Sequence, residues 1–162
     1  MILPVLTILF LGIVQFGLVL REHQVVQNAA REGARLSMLP NYSRKGWNTS
    51  SGSSCPLSTI ANVVAQYLST EGISVTAAAE TDIANCSKTI DPAPTSGSVD
   101  LSGGGVSSAT VTIDQNVTTT LSDGTTVGMS KVTISYTKSA LVGGSFFGTF
   151  TYKGEAVFRN LY

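Results

Sequence analysis

MILPVLTILFLGIVQFGLVL, residues 1–20, runs without a break into REHQVVQNAAREGARLSML, residues 21–39. The first twenty residues hold no charge, and their polar side chains are Thr7 and Gln15. Twenty residues of helix span about 30 Å, the thickness of a bilayer's hydrocarbon core. No basic residue precedes the run, and Arg21-Glu22-His23 follows it where a signal peptide would place a small-residue cleavage site. The reading is a retained apolar helix. Between Arg21 and Leu39 there is neither Pro nor a turn cluster, and Val25, Val26, Ala29, Ala30, Gly33, Ala34 and Leu36 recur at helical spacing. One helix from near residue 2 to residue 38, about 55 Å long, is expected. Its first half is apolar all round and its second half amphipathic. Pro4 suits a first helical turn, where its missing N–H has no partner to lose.

Beyond the helix the composition changes. Formal net charge is zero and charged residues make up 12% of the 162, about half the usual share. A nucleic-acid binder would show a basic face, and a cytosolic enzyme would carry more charge. Ser, Thr, Gly, Val and Ala fill the gap, as in a secreted, β-rich domain. Residues 41–54 read as a polar loop. Pro56 opens a second helix whose apolar face is Ile60, Val63, Val64, Tyr67 and Leu68, with Gly72 as its stop. Ile73, Val75 and Ala77 alternate with polar residues as in a strand, and residues 82–105 read as loop. Strands are expected over 106–121, 127–136 and 146–158, with Ser122-Asp123-Gly124 as a turn. The fold class is α+β. A long N-terminal helix precedes a short helix packed on a mostly antiparallel sheet of about four strands, and the lower half of the long helix shares in covering that sheet. The division is 1–39 for the spine helix, with 1–20 as its membrane or filament-core segment, and 40–162 for a secreted head.

Two cysteines, Cys55 and Cys86, follow the apolar segment. An even count beyond a membrane span predicts one disulfide, worth about 3–4 kcal/mol for a loop of this length. Little points to catalysis. His23 is the single histidine and reads as an interfacial residue. The run Gly103-Gly104-Gly105 lacks the Lys-Ser/Thr of a phosphate loop. No metal site, cofactor, small-molecule substrate or nucleic acid is expected, and the chain is not read as an enzyme. Sequons occur at Asn41, Asn48, Asn85 and Asn116. Tyr136, Phe146, Phe147, Phe150, Tyr152, Phe158 and Tyr162 read as head core and cross-strand pairs.

Three stretches together carry a resemblance. Leu3-Pro4-Val5-Leu6, then Gly12-Ile13-Val14-Gln15-Phe16-Gly17, then Gln27-Asn28-Ala29-Ala30-Arg31-Glu32-Gly33-Ala34-Arg35 resemble the N-terminal region of TadE-like proteins. These are pilin-like or pseudopilin subunits of tight-adherence, Flp-type pilus systems in bacteria. The Ala-Ala-Arg-Glu-Gly-Ala-Arg stretch is the most specific part. The last 30 residues are loosely similar to the family's closing strands. Where the family usually has Glu-Phe-Gly, this chain has Gln15-Phe16-Gly17, and a neutral amide is easier to bury than a charge. The family's basic leader and upstream acidic residue have no counterpart in these 162 residues, which begin inside the apolar run.

The resemblance implies a structural subunit of an extracellular filament with roles such as surface attachment. Such a subunit waits in the inner membrane and then joins copies of itself with the help of pilus assembly machinery. Two other readings stay open: a minor pseudopilin that primes or tips a pilus made of another protein, and a single-span anchored binding module. A helix apolar all round leaves lipid only for an equivalent environment, which a bundle of identical helices supplies. Pro4, Gly12, Gln15, Phe16, Gly17, Ala30, Gly33 and Ala34 are the residues expected to serve assembly, the small ones by permitting close helix approach.

Overall fold

The computed structural model describes residues 3–39, 55–78, 96–103, 106–139 and 148–159. Helix α1 spans Leu3–Ser37 and helix α2 Pro56–Thr70. Strands β1 (Thr76–Ala77), β2 (Ser96–Ser102), β3 (Val106–Thr120), β4 (Thr126–Ser139) and β5 (Thr149–Arg159) form one antiparallel sheet in chain order. The α+β class is as read from the sequence. The described sheet has five strands where about four were expected.

The uncharged Leu3–Leu20 half of α1 is followed by a half with one inward stripe: Val25, Val26, Ala29, Ala30, Gly33, Ala34 and Ser37. That stripe lies on the sheet and against α2, so the lower half of α1 belongs to the head's core. Its small residues set the distance. A Cβ placed on Gly154 of β5 would stand 2.6 Å from the Val26 carbonyl oxygen, so only a glycine admits the helix backbone there. The C-terminal end of α1 is capped by the sheet. Gln115 Nε2 and Ser130 Oγ donate to the Ser37 carbonyl at 3.3 and 3.4 Å, satisfying an acceptor that has no intrahelical partner. Gln115 reaches it from the register shift between Asp114 and Val117, where β3 bulges against β4.

Helix α2 starts with Pro56 in its first turn, and the Cys55 carbonyl accepts the Thr59 N–H at 3.1 Å. It stops in a Schellman arrangement. Ile73 N–H donates to the Leu68 carbonyl at 2.8 Å and Gly72 N–H to the Ser69 carbonyl at 3.1 Å, with Gly72 at φ 94°. Alternation then sorts the sheet. Val99 and Leu101, Ala109, Val111 and Ile113, Val132, Ile134 and Tyr136, and Tyr152 and Ala156 are buried under the helices. Their neighbours Ser98, Thr112, Ser135 and Lys153 are exposed on the opposite face.

Two sequence expectations need correction. Residues 96–102, read as loop, form β2. Val99 and Leu101 are its buried positions, and the Ser, Gly and Asp between them hid the alternation. The strand expected at residues 73–77 pairs over Thr76–Ala77 alone, while Ile73 and Val75 are buried under α2 without a ladder. The expectations for 41–54, Cys86, Phe146, Phe147 and Tyr162, and for the sequons at Asn41, Asn48 and Asn85, lie outside the described residues.

Candidate membrane and assembly surface

From Leu3 to Val14 every residue of α1 is exposed. Leu3 is 77% exposed, Ile8 72% and Phe10 63%, with Phe16 at 64% beyond them. Such a surface in water is untenable. A helix of this length carries on the order of 2,000 Å² of apolar side chain, worth tens of kcal/mol at about 25 cal/mol per Å². The segment is long and apolar enough to cross a membrane. α1 therefore has one half buried in its own head and one half that needs another apolar environment.

The residues expected to serve assembly divide accordingly. Gly12 and Gly17 have nothing within 4 Å of an added Cβ, and with Pro4 and Phe16 they stand on the free half. Ala30 and Ala34 are fully buried in the head. A Cβ on Gly33 would meet Val64 Cγ2 at 2.8 Å and Val132 Cγ1 at 3.3 Å. Gly33 thus permits close approach of α1 to its own α2 and β4, and Ala30 and Ala34 are buried in the same head core. Their surface is already occupied within the subunit. Gln15 is half-buried at the junction of the two halves, and its Oε1 is shielded with no hydrogen-bond partner among the described residues.

Immediately beyond the apolar half the helix is fastened to the head by polar groups. Glu22 Oε1 pairs with Lys138 Nζ at 2.9 Å, with side chains 20% and 28% exposed. The Arg21 guanidinium donates to the Glu71 carbonyl at 3.3 Å, at the C-terminal end of α2 where cations are favoured. Five residues on, Gln27 lies against β5 at Glu155. Its Nε2 donates to the Glu155 carbonyl at 2.7 Å and its Oε1 accepts the Glu155 N–H at 3.3 Å. One side-chain amide thus makes with Glu155 the two bonds that a neighbouring strand residue would make, on the side of β5 where no strand pairs among the described residues.

The fastening shifts its own acid–base behaviour. The Lys138 ammonium is raised above its usual 10.5, first because it donates to Glu22. Tyr136 and Tyr152, a cross-strand pair with ring centroids 5.4 Å apart, are raised above 10.0, first by desolvation and then by the Glu22 carboxylate. Beside this cluster α1 and the lower ends of β4 and β5 leave a crevice of about 220 Å³. A smaller one of about 70 Å³ shares Leu18, Arg21, Glu22 and Gly72 with it. His23 is exposed, and among the described residues no three His, Cys, Asp or Glu side chains converge as metal ligands.

Sequence reasoning placed the amphipathic stripe but missed Glu22, Lys138 and the Gln27 clamp. The clamp's partners are 128 residues apart and the ion pair's 116, so no local pattern could signal them. Cys55 is fully buried where α2 begins.

Residues 1–35 match the family model described as TadE-like protein. No curated protein and no solved structure matches the chain. The matched segment holds the exposed half of α1 and most of its inward stripe, and the match ends before the head.

Proposed function

We propose, from the TadE-like character of residues 1–35 and the free apolar half of α1, that this chain is a structural subunit of an extracellular pilus-like filament. It is held in the inner membrane by α1 before assembly, and pilus assembly machinery transfers it into a polymer of its own copies. The observation that carries the reading is the division of α1. Val25 to Ser37 is committed to the head, whereas Leu3 to Val14 is exposed throughout and has no partner among the described residues. Lipid satisfies that surface before assembly, and a bundle of equivalent helices satisfies it afterwards. A head-to-tail contact that does not close generates a filament. Within that bundle Gly12 and Gly17 are the positions where neighbouring backbones approach closely. The functional division is a spine over 1–39 and a head over 40–162, the second half of α1 serving both.

The head's role is display. Its outer sheet face is rich in Thr and Ser and offers hydroxyls to the medium, which suits attachment to surfaces. No catalytic residue is assigned. Shearing of the producing cells tests the proposal. The chain should appear in the sheared filament fraction as the dominant band. A minority band there would make it a priming or tip subunit, and retention with the membrane would make it an anchored module.

A further inference from the structure

We propose that the tip of the β3–β4 hairpin of one copy docks in the crevice between α1 and the lower ends of β4 and β5 of the next copy, with Leu121 entering the crevice and Asp123 meeting Arg21. The inference rests on the reading that this chain polymerises head to tail.

Placement is the first argument. α1 and β4 run antiparallel, since Glu22 pairs with Lys138 near the lower end and the Ser37 carbonyl accepts from Ser130 near the upper one. β4 therefore reaches both sites. Lys138 and Ser139 at its end line the crevice, and Thr126 at its start follows the turn at Leu121 to Thr125. Its 14 residues set tip and crevice about 45 Å apart, at opposite ends of the head. A copy moved along β4 by that length brings the tip of one under the crevice of the next, and the same contact repeats without closing. The free helix leaves room for it. Leu3 to Leu18 reach about 24 Å below the crevice. The hairpin rises about 20 Å beyond Ser130, exposed at every residue from Thr118 to Thr126, so the two lie side by side.

Complementarity is the second argument. Leu121 is 42% exposed on a turn with a fixed backbone. Its N–H donates to the Thr125 carbonyl at 2.8 Å and its carbonyl accepts the Gly124 N–H at 3.0 Å. Asp123 accepts the Thr125 hydroxyl and, at 2.9 Å, the Thr125 N–H, and these bonds hold its carboxyl below the usual carboxylate range. Both fall on Oδ1, and a carboxylate has a second oxygen to offer a cation. From Thr118 to Gly128, Asp123 is the single charged residue, so the tip is negative. The crevice, about 220 Å³, is lined by Leu18, Val19 and Phe150 together with Arg21. Glu22 and Lys138 neutralise one another there, which leaves Arg21 to make the lining positive. One guanidinium donor goes to the Glu71 carbonyl, and others remain for a carboxylate. A preformed turn loses little conformational freedom on docking. The contact orders the copies, while the apolar half of α1 supplies most of the driving force.

The test places a thiol at each site of the full chain, Leu121→Cys at the tip and Ser139→Cys at the crevice. Detergent is removed to let the chain polymerise, the polymer is oxidised, and non-reducing electrophoresis reads the result. Each copy of the double variant offers one tip and one crevice, so a ladder running well past the dimer should appear. Either single variant should run as a monomer. Polymers that give no ladder, or a single variant that cross-links to itself, overturn the docked tip and leave the filament reading standing. A parent chain that forms no polymer overturns both. Sedimentation adds a second readout. Leu121→Ser should raise the concentration at which polymers first pellet by about tenfold, as the loss of one buried leucine predicts, and Leu121→Met should leave it level. Asp123→Arg should also raise it, and adding Arg21→Asp should bring it back. An unchanged threshold in Leu121→Ser, or a charge swap no better than Asp123→Arg alone, overturns the proposal.

Discussion

Gly154→Ala adds one methyl group where α1 crosses β5, and the structure fixes what that methyl meets. Its Cβ would stand 2.6 Å from the Val26 carbonyl oxygen, 2.9 Å from the carbonyl carbon and 3.0 Å from Val26 Cγ1. Two of these are backbone atoms within a helix, so no rotamer change relieves them. Ordinary contact begins at 3.4 Å, and 3.4 − 2.6 gives a retreat of 0.8 Å for α1. Such a shift would lengthen the Gln27 bonds to Glu155, now 2.7 and 3.3 Å, and loosen the fully buried Val26, Ala29 and Ala30. Overpacking and the weakened clamp together should cost about 3 kcal/mol. At a urea slope of about 2 kcal/mol/M the unfolding midpoint should fall by about 1.5 M. The assay is urea unfolding of the full chain in non-ionic detergent, followed by far-UV circular dichroism. Gly12→Ala is the control: nothing lies within 4 Å of its Cβ, and alanine favours helix. A Gly154→Ala midpoint within about 0.3 M of the parent would refute the close helix–strand crossing.

Gly33→Leu should fail to fold rather than fold and fail to assemble, because its side chain enters the core at Val64 and Val132; limited proteolysis should digest its head, and a protease-resistant Gly33→Leu would contradict the packing. Alkaline pH should destabilise the head. Lys138, Tyr136 and Tyr152 all have folded values raised above 10.5, 10.0 and 10.0, so their contribution is whole below those values and is lost as pH rises through the folded ones. Urea midpoints should hold level from pH 8 to about 10 and then decline, less steeply in Glu22→Gln; an unchanged midpoint at still higher pH would sink the assignment. Cys55 and Cys86 are proposed to be bonded, and intact-mass measurement should find no thiol open to alkylation without reduction.

The helices were legible because their signals are local. Pro4 and Pro56 mark starts, Gly72 marks a stop, and the small-residue stripe from Val25 to Ala34 repeats at helical spacing. β3 and β4 were legible because Val111, Ile113, Val132, Ile134 and Tyr136 alternate cleanly. β2 was not, since Val99 and Leu101 are two apolar residues among Ser, Gly and Asp, and it is a strand because β3 pairs with it. What the stripe packs against was equally hidden. A row of small residues reads the same whether it meets a neighbouring helix or its own sheet, and only tertiary packing assigns Gly33 to Val64 and Val132. Gln15 was read as an amide easier to bury than a charge, but the crevice beside it is walled by residues of β4 and β5, more than 110 residues away.

The claim that the free half of α1 drives assembly is tested most directly by removing it. A chain beginning at Arg21 keeps the Glu22–Lys138 pair, the Arg21–Glu71 bond and the inward stripe, while losing the unpartnered apolar surface. Sedimentation velocity should be run on this chain at high concentration, and on the full chain after detergent removal. The account predicts a monomer for the shortened chain and ordered polymers for the full one. Ordered filaments from the shortened chain would contradict it and place polymerisation in the head, through strand addition at an open sheet edge.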